Sequence, residues 1–292
     1  MSTPSFIRST VLLTLAAAGL LSTPARAHPG SGIVVDRLGR VYFVDMVSGI
    51  WRLDTQGALT HFPGPAFHWM TLDAAGLFAG VPLPSGPGGD FARIGTSPTL
   101  LLASDFPLSL GPDGRLYFPS QGRTPLRIRT VSPQGQAGFL ATLPATGSRG
   151  PLRWLNGLAA APDGSLYYTE DDAIRRIGRD GQVATVAEHI VPEGCGARNP
   201  LLRGLDVDSA GNVFVADAGC GNVLKVTPAG AVTILPQVPR PWFSTGVALS
   251  GNHLFVLEFE NPDTDDRRAM LPRIRKIAPD GTTSVVATVT RH

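Results

Sequence analysis

The chain has 292 residues, a formal charge of +2 and two cysteines. Its basic residues are nearly all arginine, with Lys225 and Lys276 the only lysines, and they form no run that could track a phosphate backbone, which argues against nucleic acid as a partner. With 34 glycines and 26 prolines, the composition suits many short strands and turns and argues against a helical bundle.

The first 27 residues stand apart. Arg8 supplies a positive start, residues 11–21 are apolar, and Ala25-Arg26-Ala27 ends the segment on a small-x-small step, the pattern of a secretory signal peptide. The apolar run is too short to span a bilayer, which needs roughly 20 residues, and no later run is longer. The expected mature chain therefore starts at His28 and is secreted or periplasmic. It loses Arg8 and Arg26, so its formal charge is +2 − 2, or zero. In an exported protein Cys195 and Cys220 read as a disulfide, closing a loop worth roughly 3 kcal/mol by chain entropy.

From residue 31 onward a pattern repeats six times. SGIVVDRLGRVYFVD (31–45), HWMTLDAAGLFAGV (68–81), FPLSLGPDGRLYFPS (106–120), NGLAAAPDGSLYYTE (156–170), RGLDVDSAGNVFVAD (203–217) and TGVALSGNHLFVLE (245–258) each hold two short apolar runs around a turn glycine. Those glycines fall at 39, 76, 114, 164, 211 and 251, a period of the length expected for propeller blades. Two further runs follow each pair, as at 50–53 and 58–62, 174–177 and 182–187, and 274–277 and 283–289, split by Gln-Gly or Asp-Gly steps suited to tight hairpins. The expected fold is all-β: one six-bladed β-propeller of four-stranded antiparallel blades over residues 28–292, monomeric, with strands A to D running outward and blade 6 packing non-covalently on blade 1.

The fifth repeat, followed by NVLKV, resembles an NHL repeat, and the fourth is similar to the gluconolactonase, or SMP-30-like, propellers; the likeness covers residues 30–289. Such folds host lactonases, lyases and binding modules alike. The SMP-30-like resemblance implies a divalent metal, calcium or zinc, held by a blade 1 Glu, a blade 4 Asn and a blade 5 Asp where strands A open. Only Asn156 matches; the other two positions are Ser31 and Arg203, and an arginine repels a cation.

In a meander the A–B and C–D turns share one face, and these are tight. The other face carries the long connections, 82–92, 144–155, 188–202, 236–244 and 259–272, and is the expected functional face. Ser31, His68, Phe106, Asn156, Arg203 and Thr245 open the innermost strands there, with Trp69, Trp154 and Trp242 close by. Ser31, His68, Trp69, Trp154, Asn156, Arg203, Asp206, Trp242 and Thr245 are the candidate ligand contacts, with Arg203 and Asn156 for an anion or carbonyl and His68 and Arg203 as candidate catalytic groups. Asp206 is the one acid inside a strand A, and Arg203 is its nearest candidate partner. The acids closing strand B, Asp45, Glu170, Asp217 and Glu258, read as caps or ion-pair partners. The leading function is binding of a small polar or anionic ligand. The alternatives are an SMP-30-like lactone or ester hydrolase, and a scaffold recognising a protein or glycan.

Overall fold

The computed structural model describes residues 29–62, 64–84, 91–120, 125–144, 155–192, 202–237, 239–260 and 266–291. The expected signal peptide, His28, Trp154 and Cys195 lie outside them. Six antiparallel sheets follow one another along the chain. Blade 1 contains β1 (Ile33–Val35), β2 (Val41–Asp45), β3 (Gly49–Leu53) and β4 (Leu59–Phe62), and blade 2 contains β5 (Trp69–Asp73), β6 (Phe91–Ile94) and β7 (Leu100–Ser104). Blade 3 has β8 (Ser109–Leu110), β9 (Leu116–Pro119), β10 (Arg127–Val131) and β11 (Ala137–Thr142); blade 4 has β12 (Gly157–Ala160), β13 (Leu166–Glu170), β14 (Ala173–Ile177) and β15 (Val183–Ala187). Blade 5 has β16 (Leu202–Val207), β17 (Val213–Asp217), β18 (Asn222–Val226) and β19 (Val232–Ile234); blade 6 has β20 (Trp242–Ser250), β21 (His253–Glu260), β22 (Pro272–Ile277) and β23 (Thr283–Thr288). The only helical turn among the described residues is the 3₁₀ segment Arg267–Ala269.

The turns form for local reasons. All six first-turn glycines have positive φ, from +56° to +81°, a region that a side chain disfavours. In the outer hairpins Asp54, Asp180 and Asp280 each accept the backbone N–H two residues on, at 2.9, 3.0 and 2.9 Å, and so shape the turn around its glycine. Between these turns the strands bury their apolar residues between blades, Tyr42, Phe43, Tyr168 and Phe259 completely.

Blade 2 departs from the expected pattern. It has three strands in the order β5-β7-β6, and residues 77–81 form no second strand. Asp73 accepts the N–H groups of Leu77 and Phe78 at 3.0 and 2.7 Å, which curls the chain away from β5. Arg93 then binds the carbonyls of Phe78 and Val81, so this backbone is satisfied by side chains and not by a ladder. The expected loop 82–92 correspondingly gives way to β6 at Phe91.

Closure is non-covalent, blade 6 on blade 1. One core cluster runs through Ile33, Val44 and Ile50 of blade 1, Leu257 and Ile274 of blade 6, and Met70 and Leu101 of blade 2. The Thr245 hydroxyl donates to the Gly30 carbonyl at 2.8 Å, and Arg291 near the C-terminus forms an ion pair with Asp45.

The innermost strands meet through glycines that follow the opening residues. A Cβ on Gly157 would strike the Arg203 carbonyl; on Gly204, the Cα of Gly246 at 3.0 Å; on Gly246, the Ser31 carbonyl; and on Gly32, the Met70 nitrogen at 3.0 Å. The blades thus touch backbone to backbone from blade 4 through 5, 6 and 1 to blade 2. Gly246→Ala should therefore lower stability by more than about 3 kcal/mol, since rigid backbone cannot yield. Gly57→Ala, at φ +88° with nothing within 4 Å of its Cβ, should cost about 1 kcal/mol. Urea unfolding of the two variants checks this, and equal losses would contradict the backbone contact.

Candidate functional site

The opening residues gather around the channel mouth, but they are used differently. Thr245 is fully buried, its hydroxyl spent on the ring closure. Ser31 is 5% exposed; its N–H donates to the His68 carbonyl at 2.8 Å, and its hydroxyl is buried with no hydrogen-bond partner among the described residues. Phe106 is buried against Phe91 and Phe118. Asn156 is half-buried and starts blade 4, donating its N–H to the Thr169 carbonyl at 3.2 Å.

Arg203 carries the strongest electrostatic signature. It is 8% exposed and donates through Nη1 to the Pro29 carbonyl at 3.2 Å, reaching from blade 5 to the chain that enters blade 1. Its Nε is buried without a partner, and no carboxylate pairs with it among the described residues. Burial brings its pKa down to about 10, so the guanidinium keeps its charge at neutral pH without a counter-ion. A buried, uncompensated cation at a channel mouth is costly for stability and is a mark of a binding site.

The expected Arg203–Asp206 pair does not form. Asp206 turns to the next blade and accepts the N–H of Leu249 at 2.8 Å, together with that of Val207 at 2.8 Å. The same blade position makes the same latch elsewhere: Thr71 accepts from Leu110 at 3.3 Å and Ser109 from Ala160 at 2.9 Å. Asp206 is thus a latch between innermost strands, and two backbone donors replace the cation that sequence reasoning sought. Desolvation is the main cause of its raised pKa, about 6; the two N–H groups work against it and nearby Asp208 adds to it.

His68 is 8% exposed, and its Nδ1 lies 2.7 Å from Oδ1 of Asp105, whose side chain is 49% exposed. Asp105 was not foreseen. Its only signal is that it directly precedes Phe106 and so shares the mouth. The Trp69 ring lies 5.5 Å from the His68 ring, and its half-buried side chain also packs on the core between blades 2 and 3. Trp242, also half-buried, stacks on the Arg273 guanidinium at 3.9 Å. Arg273 in turn pairs with the fully buried Glu258, which also binds Arg275 at 2.5 Å.

The acids that close the second strands are structural. Asp45 caps its turn through the N–H of Val47 and the hydroxyl of Ser48, and Asp217 accepts the N–H groups of Gly219 and Cys220 at 3.0 and 3.2 Å. Glu170 lies 3.9 Å from Arg175. Cys220 sits in the β17–β18 turn on the mouth face. On the opposite face, a cleft of about 350 Å³ between blades 4 and 5 is lined by Asp163, Tyr167, Arg176 and Asp208.

The mouth does not fit the metal that the SMP-30-like resemblance implies. Among the described residues no three His, Cys, Asp or Glu side chains converge to hold a cation. Ser31 and Arg203 stand at the two carboxylate positions, and the Arg203 charge opposes a cation there.

The architecture is shared with solved proteins of separate activities. A selenomethionine-substituted virginiamycin B lyase from Staphylococcus aureus matches with a TM-score of 0.54 at 16% identity, over 88% of this chain and 83% of that one. Regucalcin from Agrobacterium tumefaciens, described as a calcium-binding protein, matches with a TM-score of 0.53 at 14% identity, over 83% and 86%. A luciferin-regenerating enzyme matches with a TM-score of 0.53 at 16% identity, over 85% and 92%. At these identities the likeness shows the fold and not the chemistry. No protein-family model and no curated protein matches the chain.

Asp206 gives this region a pH dependence. The folded protein holds its proton up to about pH 6, whereas the unfolded chain releases it near 3.8. Stability from this proton is full below the unfolded value and is lost as pH rises through about 6. Asp206→Asn keeps an acceptor for Leu249 but has no proton to lose. It should gain on the wild type between pH 4 and 7.5, by at most about 3 kcal/mol. Urea unfolding at both pH values measures this, and a difference that does not change with pH would contradict it.

Proposed function

We propose that this chain is an exported β-propeller that binds a small anion, a carboxylate or a phosphate, at the mouth of its central channel. The observation that carries the reading is Arg203, a buried guanidinium with no carboxylate partner and an unpartnered Nε among the described residues. The buried, unpartnered hydroxyl of Ser31 at the same mouth supports it. An anion would supply the missing counter-charge through charge-assisted hydrogen bonds, each worth roughly 1.5–3 kcal/mol. Asn156, on the strand next to Arg203, and His68 are the remaining polar contacts. Isothermal titration with inorganic phosphate and with butyrate should show binding to the wild type and at least a tenfold loss in Arg203→Gln. Equal affinities would refute the site.

A second reading, hydrolysis of a lactone or ester at this mouth, is favoured by one observation. The 2.7 Å contact between His68 Nδ1 and Asp105 is the arrangement that fixes a histidine's tautomer and orientation for general-base work. A panel of lactones and esters with wild type and His68→Ala tests it; no turnover, or turnover unchanged in the variant, removes His68 from catalysis.

Export and a Cys195–Cys220 disulfide belong to the same proposal. The 11–21 apolar run and the Ala25-Arg26-Ala27 step support the first, and Cys220, not a free thiol, supports the second. The exported protein should begin at His28 by mass, and an unreduced peptide map should join the two cysteines. A retained leader, or two titratable thiols in the folded protein, would contradict these points.

A further inference from the structure

The face opposite the mouth carries the cleft of about 350 Å³ between blades 4 and 5, enough for a small molecule, whose sites run from roughly 300 Å³ upward. Tyr167 lines it and is 5% exposed. Its hydroxyl faces the 208–211 turn of blade 5, where a Cβ on Gly211 would stand 4.0 Å away. The same place in the second strand of blades 1 and 3 holds Tyr42 and Tyr117. Both give their proton to an acid of their own first turn, Tyr42 to Asp36 at 3.3 Å and Tyr117 to Asp113 at 2.7 Å. Blade 4 differs, because Asp163 is already taken: it accepts the N–H and hydroxyl of Ser165 at 2.9 and 2.5 Å and Arg176 Nη2 at 3.0 Å. The group beside the Tyr167 hydroxyl is the Arg176 guanidinium, paired opposite it across β13 and β14, which has donors and no acceptor. The Tyr167 proton therefore has no acceptor among the described residues.

Blade 5 supplies the converse, a carboxylate without a cation. Asp36 of blade 1 has Arg40 four residues on, at 2.6 Å. Asp208, at the same place in blade 5, has Asn212 there instead, whose amide donates to it at 2.8 Å beside the backbone N–H groups of Ala210 and Asn212. No cation pairs with Asp208 among the described residues. Across the cleft, the Arg176–Asp163 pair sets a donor and an acceptor side by side, with both side chains about half exposed, 42% and 57%. Pro162, Val186 and Pro228 give the rest of the lining a C–H surface.

Neither sign of ion suits this lining. An anion is drawn to Arg176 and Tyr167 but meets Asp163 and Asp208. A cation is drawn to the acids but meets Arg176 and leaves the Tyr167 proton without an acceptor. A hydroxyl group accepts from a phenol or a guanidinium and donates to a carboxylate, so it satisfies both. We propose that the cleft between blades 4 and 5 binds a neutral sugar, its neighbouring hydroxyls shared among Tyr167, Arg176 and Asp208 and its C–H face resting on Pro162 and Pro228. This site is separate from the mouth and does not depend on the anion reading of Arg203.

The test is a set of ¹⁵N–¹H titrations of the folded protein with glucose, galactose, mannose, butylamine and butyrate, each added separately. At least one hexose should move the backbone N–H resonances of Ser209, Ala210 and Gly211 saturably, and neither butylamine nor butyrate should. Tyr167→Phe should weaken that hexose by about fivefold or more, the loss of one hydrogen bond. The fold accepts this change, since Phe214 and Phe255 fill the same strand position in blades 5 and 6. Asp208→Asn, which keeps an oxygen for the N–H groups of its turn, should weaken the hexose to a similar degree. The proposal is overturned if no hexose shifts these resonances, if butylamine or butyrate shifts them saturably in place of the hexoses, or if Tyr167→Phe binds the hexose as tightly as the wild type.

Discussion

The propeller depends on how closely its innermost strands approach one another around the axis. Side chains cannot fill that space, because the neighbouring blade's backbone already occupies it. Gly157, Gly204, Gly246 and Gly32 solve the problem in turn, each giving up its Cβ to the next blade. The closing step is part of the same series: Gly246 of blade 6 faces the Ser31 carbonyl of blade 1, while Thr245 bonds to Gly30. No strand exchange is needed to join the ends, since the seam is made as the interior contacts are made.

That packing also shapes the mouth. Where glycines bring the strands together, Ser31 and Thr245 are buried, and Thr245 is committed to the ring closure. Where Trp69 and Pro107 stand instead, the ring relies on side-chain latches, Thr71 to Leu110 and Ser109 to Ala160. Arg203 reaches from blade 5 to the Pro29 carbonyl ahead of blade 1, and no described carboxylate balances its charge. Stabilising a fold would call for a carboxylate beside it or an apolar residue in its place. The cost of an uncompensated guanidinium is reasonable when a ligand supplies the counter-charge.

Much of this was legible in the sequence, because blade repeats are local. Each first-turn glycine that set the period has the positive φ its turn requires, including Gly76, although the strand expected after it does not form. That error came from reading an apolar pattern without its side-chain competitors: Asp73 and Arg93 take up the backbone groups a ladder would need. Asp206 was recognised as exceptional, but its partner was sought within its own strand. Its actual donor, Leu249, is 43 residues away, and only the ring geometry brings it near. Asp105 escaped because blade 2 breaks the pattern: β7 pairs Ser104 with Trp69, so the neighbouring Asp105 and His68 meet along that ladder. Relations within a regular blade follow from spacing, whereas relations between blades follow from the closed ring.

The central claim is that Arg203 awaits an anion, and its Nε–H reports on this directly. In ¹⁵N–¹H spectra of the arginine side chains, assigned by comparison with Arg203→Lys, the Arg203 Nε–H resonance should move saturably as inorganic phosphate is added, ahead of exposed arginines such as Arg115. A resonance that stays in place while the exposed arginines shift would contradict the account, leaving Arg203 a structural cation tied only to Pro29.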